Sequence, residues 1–377
     1  DWLTYLKVRG SYTEVGNSYG RFMTTVTYPY DEQTQSWTST SSYPNTKLKP
    51  ERTKSWEVGL DARILNDISL NLTYYRSNTY NQTFYADLSL SSGYSNIPIQ
   101  SGNIMNEGLE MSLGYNKQWK DFSFNTNYTL TWNKNRVKRL ADGVYNYATG
   151  QPIQMPELSP LTYGHTDARL ILRVGGSMGD VYGQRLLKRD LNGYILNEEG
   201  VGLAMENKET YLGSILPKMN MGWSLGFGYK GVNLGMTFTG RFGGIVISET
   251  QSVLDAAGVS KVSADVRDAG GVQINQSKVS AQTYYQTIQG TAAYYTYSAT
   301  NVRLGELSLS YTLPKKWFDN KVGMTVGLVG KNLWMIYCKA PFDPELTTSA
   351  ASNFYQGFDA YMLPSTRNFG FNVKFQF

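Results

Sequence analysis

Strict alternation of apolar and polar residues is the feature that most limits what this chain can fold into. Successive side chains of a β-strand point to opposite faces, so period-2 patterning means strands that are apolar on one side and wet on the other. Leu6, Val8, Gly10 and Tyr12 alternate with Lys7, Arg9, Ser11 and Thr13. Trp56, Val58, Leu60, Ala62 and Ile64 oppose Ser55, Glu57, Gly59, Asp61 and Arg63; past a tight turn at Asn66-Asp67, Ile68, Leu70, Leu72 and Tyr74 oppose Ser69, Asn71 and Thr73. The pattern returns over 109–116 and, after a turn at Gln118-Trp119-Lys120, over 122–132. A third hairpin joins 223–229 to 232–241 across Lys230-Gly231. Val302 and Leu304 keep one parity and Leu307, Leu309, Tyr311 and Leu313 the other, so a β-bulge is expected at Gly305-Glu306. A strand over 322–334 follows, and Phe369, Phe371, Val373, Phe375 and Phe377 close the chain on an apolar face. About ten strands of roughly 10 to 14 residues result, longer than the usual 5 to 6 and near the 9 to 11 of a tilted membrane-crossing strand.

The connections alternate in kind. Turns at 65–67, 118–120, 230–231 and 314–321 contrast with long segments at 16–53, 79–103, 135–219, 243–300 and 336–366, the asymmetry of an outer-membrane barrel. Long loops of this sort are expected to fold on one another and carry function. Composition agrees: 17% of the 377 residues are charged, against about 25% in ordinary domains. Mean hydropathy is −0.38 and no run approaches the ~20 apolar residues of a membrane-spanning helix, which leaves a barrel as the membrane option. Trp2, Trp56, Trp119, Trp132, Trp223, Trp317 and Trp334 are read as strand-end aromatics at the headgroup level; a soluble sandwich with these rings in its core is the alternative. The length would suit two or three globular domains, but the repeated hairpin points to an all-β, transmembrane antiparallel barrel domain. Because 1–377 opens inside a patterned segment, it is read as a piece of a longer chain.

Few chemistries survive the residue counts. One cysteine and one histidine exclude a disulfide framework, a cysteine-ligated zinc and any multi-histidine site. His165 lacks a nucleophile elbow and reads as a surface residue, Cys338 as a shielded free thiol, and 175–180 as a flexible loop rather than a phosphate cradle. Asp190-Leu191-Asn192-Gly193-Tyr194-Ile195 offers too few carboxylates for a calcium loop, so neither metal nor cofactor is expected. The net charge of +5 is scattered, which argues against nucleic acid. Arg9, Glu57, Asp61, Arg63, Glu110 and Arg241 fall on the wet face, where they either dock a plug through paired charges or are simply solvated. Loop tyrosines Tyr145, Tyr147, Tyr284, Tyr285, Tyr294, Tyr295 and Tyr297 are candidates for stacking on sugars or clasping peptides, with loop packing as the alternative.

Several segments resemble the C-terminal half of SusC/RagA-type TonB-dependent transporters of the Bacteroidota. They are Leu6-Lys7-Val8-Arg9-Gly10-Ser11-Tyr12 running to Gly16-Asn17, 49–61, 102–110, Leu216-Pro217-Lys218, Val302-Arg303-Leu304 to 311–314, Lys331-Asn332-Leu333, Phe342-Asp343-Pro344-Glu345 and the aromatic C-terminus. Gln100 stands where asparagine is common and Pro341 where glycine is common. The resemblance implies an outer-membrane barrel of about 22 strands, these being the last ten, with the plug and TonB box outside this sequence. It also implies no enzymatic chemistry, but uptake of oligosaccharides or oligopeptides captured with a SusD-like surface lipoprotein. TonB-ExbB-ExbD, the outer-membrane assembly machinery reading Phe369, Phe371, Phe375 and Phe377, membrane lipid or lipopolysaccharide, and a dimer of SusC–SusD pairs complete the expected partners. A passive porin or adhesin barrel, or a barrel serving as scaffold, is the alternative function.

Overall fold

Backbone hydrogen bonds join the alternating segments into one ten-stranded antiparallel sheet in which each strand pairs with its sequence neighbours. The computed structural model describes residues 2–38, 40–100, 102–140, 157–198, 202–319, 321–346, 348–349 and 353–377. In chain order the strands are β1 (Leu3–Asn17), β2 (Glu51–Ile64), β3 (Ile68–Tyr80), β4 (Asn103–Trp119), β5 (Phe122–Arg139), β6 (Met219–Tyr229), β7 (Val232–Phe242), β8 (Asn301–Leu313), β9 (Gly323–Cys338) and β10 (Asn368–Gln376). Val8, Leu60, Leu72, Met111, Leu130 and Met221 stand side by side across β1 to β6. The adjacent row, Arg9, Gly59, Thr73, Glu110, Thr131, Asn220 and Arg241, lies on the other face. Alternation in sequence thus becomes two continuous faces in space. The bulge sits where expected: β8 slips register between Leu304 and Glu306 against both neighbours.

Two local expectations are corrected. The second hairpin turns at Lys120-Asp121, not 118–120, because β4 pairs through to Trp119 opposite Phe122. Polar Asn116, Lys117 and Gln118 blur the alternation there while the ladder continues, and Lys117 pairs with Asp67 of the neighbouring turn. Trp223 lies mid-strand in β6, not at an end; its indole N–H donates to Thr126 Oγ1 at 2.9 Å, satisfying a hydroxyl on the apolar face. Trp2, Trp119 and Trp317 are at the turn end, whereas Trp56 and Trp132 sit inside strands that run on beyond them into polar sequence, and Trp334 inside one that runs on through Met335-Ile336-Tyr337-Cys338.

The long segments fold. One supplies a four-stranded sheet from Glu157–Thr162, Arg169–Arg173, Asp180–Leu187 and Met205–Ser214. Another, 243–300, holds helices α1 (Glu249–Ala256), α2 (Lys261–Asp268) and α3 (Ala281–Ile288), which alternation could not signal because each is only eight residues long. Each is capped by a serine, Ser248, Ser260 and Ser280, accepting the N–H of Gln251, Ser263 and Thr283. Three apolar clusters gather here: Phe84, Ile99, Ile104, Val137 and Leu172; Tyr163, Leu170, Val181, Ile215 and Phe358; and Leu187, Ile274, Tyr285, Ile288 and Tyr295. Ile104 and Val137 belong to β4 and β5 on the polar-face parity, so the loops pack onto the loop-side end of that face. The apolar face of the sheet stays bare, with Val8 70% and Leu328 60% exposed. A soluble sandwich buries that face; here only the loops have a core.

One turn fixes how the loops interlock. Gly164 has φ +50°, and a Cβ there would meet the carboxylate of buried Glu249 and come within 2.8 Å of Phe358. Gly164→Ala is therefore expected to destabilise the loop assembly by about 1–3 kcal/mol. Faster proteolysis of the 157–214 and 243–300 segments, with the strands still protected, is the expected readout.

Candidate functional site

All six charged residues expected on the wet face lie on the polar face of the sheet, and the register places three of them, Arg9, Glu110 and Arg241, in one cross-strand row. Arg9 crosses Gly59, where a Cβ would collide with its side chain, and donates from Nη2 to Thr73 Oγ1 at 2.5 Å and Asn71 Oδ1 at 3.3 Å. Asp61 is 3.7 Å from Arg9 Nε and accepts from Asn71 Nδ2. Glu57 and Arg9 line a pocket of about 200 Å³ with Ser11 and Thr73. Glu57, Arg63 and Glu110 are exposed. Arg241 is different: half-buried near the loop end, it donates Nη2 to the Ile215 carbonyl at 2.9 Å, while its Nε is enclosed without a partner among the described residues. It clamps a loop base rather than lining open water.

The second anchor of the loops was present in the sequence as two separate segments. Arg303 of β8 makes a two-pronged contact with Asp343, Nη1 to Oδ2 at 2.9 Å and Nη2 to Oδ1 at 2.8 Å, and approaches Glu345 at 3.2 Å. Asn301 completes the group, accepting from Arg303 Nε and donating to Glu345. Arg303 and Asp343 side chains are 11% and 8% exposed. Burial alone would raise the Asp343 carboxyl, but the Arg303 hydrogen bonds and the Glu345 N–H hold it below the ordinary carboxylate value. The signal was visible as Val302-Arg303-Leu304 and Phe342-Asp343-Pro344-Glu345, but not the contact between them across 40 residues. Gln100, the departure from the common asparagine, ties two further loop bases together. Its amide bridges the carbonyls of Lys49 and Asn81 and receives the Lys49 N–H.

Tyr284, Tyr285, Tyr294, Tyr295 and Tyr297 converge on the third apolar cluster. Tyr285 and Tyr295 are buried inside it, and Tyr294 receives the Leu187 N–H on its hydroxyl at 3.1 Å. Tyr284 packs edge-on against Tyr285, and Tyr297 against Phe342. Burial, helped by Asp255, pushes the Tyr297 phenol up to about 12, so this ring stays neutral in use. For Tyr285 and Tyr295 the structure gives loop packing; Tyr284, Tyr294 and Tyr297 keep partly open faces. Tyr145 and Tyr147 lie outside the described residues.

The remaining motifs resolve simply. His165 is exposed and gives only its backbone N–H, to Glu249. Cys338 is half-buried at the end of β9, its thiol facing the Ala340 and Phe342 carbonyls. The 175–180 run is not a flexible loop but a pinned turn: Gly175 and Gly176 exchange hydrogen bonds with Val137, and Met178 N–H meets Asn135 Oδ1 at 2.7 Å. It borders a cleft of about 500 Å³ between the loop-side ends of β5 and β6. Asp190 uses its carboxylate on the Asn192 and Tyr194 N–H groups as a turn former. Phe369, Phe371, Phe375 and Phe377 project from the apolar parity of the last strand, 54–97% exposed.

Comparison with known proteins agrees with this geometry. Residues 1–333 match the family model described as TonB dependent receptor-like, beta-barrel. TonB-dependent receptor P3 of Formosa agariphila is 26% identical over 99% of this chain and 40% of its own length. TonB-dependent receptor SusC of Bacteroides thetaiotaomicron is 28% identical over 31% of this chain and 12% of its own length. Among solved structures, the RagAB peptide importer in its closed-closed state superposes with a TM-score of 0.70 at 19% identity, covering all of this chain and 41% of that one. The chain thus spans about 40% of the length of the full-length relatives it matches. With one lipid-compatible face, one polar face and loops folded at one end, it is part of an outer-membrane β-barrel, and the chain belongs to the TonB-dependent receptor β-barrel family.

Proposed function

We propose that these ten strands form the C-terminal part of the wall, and their loops part of the extracellular roof, of a nutrient importer that takes up oligosaccharides or oligopeptides. The observation that carries this reading is the continuous polar face, roofed at one end by loops with their own apolar cores. Strands outside this sequence seal the edges of β1 and β10, each of which pairs with a single strand among the described residues. Arg9, Glu57, Asp61, Arg63 and Glu110 face the lumen and a plug, and TonB-ExbB-ExbD acts on that plug through the N-terminal part. A SusD-like lipoprotein lids the loops, with Tyr284, Tyr294 and Tyr297 available to the captured substrate, and two such pairs assemble as a dimer. The terminal Phe369, Phe371, Phe375 and Phe377 serve as the strand read during membrane assembly. The chain performs no covalent chemistry and needs no cofactor.

Purification of the intact assembly from its native membrane should yield a surface lipoprotein and a bound oligomer, and deletion of TonB should abolish uptake. Uptake that persists without TonB would make the barrel a passive pore. Absence of a lipoprotein from the intact assembly would remove the lid.

A further inference from the structure

The three helices between β7 and β8 enclose a cavity of about 470 Å³, within the size range of small-molecule sites. Small residues leave the space open: Ala256, Ala257 and Gly258 at the end of α1, and Ala281 at the start of α3. Two polar residues form its buried wall. Asp255 is 5% exposed, and both of its side-chain hydrogen bonds fall on one carboxylate oxygen: Oδ1 accepts from Gln251 Nε2 at 2.7 Å and from the Ser260 hydroxyl. Oδ2 has no hydrogen-bond partner among the described residues, and Asp255 has no ion-pair partner among them. The cations of the three helices, Lys261 and Arg267, pair instead with Asp265 at 2.6 Å and Asp268 at 3.7 Å. Tyr285 is 7% exposed; Tyr284 packs edge-on against its ring, and its hydroxyl has no hydrogen-bond partner among the described residues. Burial, and after it the nearby Asp255 charge, pushes this phenol above its ordinary value, so the hydroxyl keeps its proton.

We propose that this cavity is a binding site for a small molecule carrying a primary ammonium group. A carboxylate buried without a counter-cation is costly, and a ligand that brings the cation offsets that cost. An ammonium has three donors: Asp255 Oδ2 accepts one with full charge assistance, Tyr285 Oη a second, and the exposed side chains of Gln282 and Gln286 line the same cavity with further acceptors. The N–H groups of Ala281 and Gln282, which the first turn of a helix leaves without internal partners, and the Arg267 guanidinium supply donors for a carboxylate or hydroxyls elsewhere on the molecule. The amino end of a short peptide and an amino sugar both present this chemistry. The cavity lies within one roof segment and shares no residue with the polar face of the wall, so its occupancy depends neither on what the lumen carries nor on TonB.

Calorimetric titration of the full-length protein in detergent tests this with dialanine and with glucosamine, each against its N-acetylated counterpart. At least one amine is expected to bind at least about tenfold more tightly than its acetylated form, the worth of one charge-assisted hydrogen bond, and the amine that does so identifies the source. Asp255→Asn, which keeps the Oδ1 contacts, should weaken that binding about tenfold, and Tyr285→Phe, which keeps the ring in its cluster, about threefold. Unchanged proteolysis of the 243–300 segment would show each variant folded, and Tyr285→Phe carries the readout if Asp255→Asn is not. Failure of both amines to bind, equal binding of their acetylated forms, or binding indifferent to the substitutions would overturn the proposal. So would maltose bound as tightly as either amine, which would make the cavity a neutral-sugar site.

Discussion

Alanine at Arg303 is expected to loosen the hold of β8 on the Phe342–Glu345 turn and to lower stability by about 3–5 kcal/mol, the cost of stranding one half of a buried ion pair. Asp343 would keep its burial but lose both guanidinium hydrogen bonds, and Asn301 and Glu345 would lose their shared partner. Replacing Arg303 and Asp343 together by methionine and leucine should recover much of the loss, because desolvation rather than attraction dominates such pairs. The pH dependence separates the two cases. In the native chain the Asp343 carboxyl is held below its ordinary 3.8, so its stabilisation is full above that value and is lost as pH falls through the folded-state value. In Arg303→Ala burial is opposed only by the Glu345 N–H and Ser365, so the stabilisation gained above the ordinary carboxylate value is expected to shrink, and with it the loss of stability on going into acid. Unfolding of the intact protein followed between pH 3 and 7, with limited proteolysis of the loop, reads both; a loop as resistant in the variant as in the native protein would remove the anchoring role.

Leu130→Arg is expected to cost about 2–4 kcal/mol, and Thr131→Arg, one residue away, less than about 1 kcal/mol. Leu130 lies in the middle of the apolar row between Met111 and Met221, where a guanidinium would face hydrocarbon. Thr131 stands between Glu110 and Asn220 on the polar face, where the same group finds a carboxylate and water. Because a shift of one residue exchanges the faces of a strand, the contrast tests the parity of the whole sheet. Denaturant titration of the intact protein refolded into phospholipid vesicles measures it. Equal costs at the two positions would mean that neither face meets lipid at this depth.

Much of the wall was readable from residue order because the information is local. Period 2 assigns Arg9, Glu57, Asp61, Arg63, Glu110 and Arg241 to one face without knowledge of any partner strand, and the parity switch at Gly305 shows the bulge directly. Where local signals weaken, the boundaries move, as at Asn116-Lys117-Gln118, whose polarity ends the pattern before the ladder ends. The loops obey no period. Whether Tyr284 or Tyr295 meets substrate or a neighbouring ring depends on α3 and strand segments far apart in sequence, and Arg241 becomes a clamp only because the Ile215 carbonyl arrives above it.

Alternation, turn spacing and low charge alone therefore determine that this chain makes long amphipathic strands for a membrane wall, since each depends on a residue and its immediate neighbours. Tertiary structure alone decides the roof: the Arg303–Asp343 anchor, the buried Glu249 beneath Gly164, and the burial of the tyrosines. Those contacts join residues tens to hundreds of positions apart, and their energy comes from excluding water between surfaces that no short stretch of sequence contains.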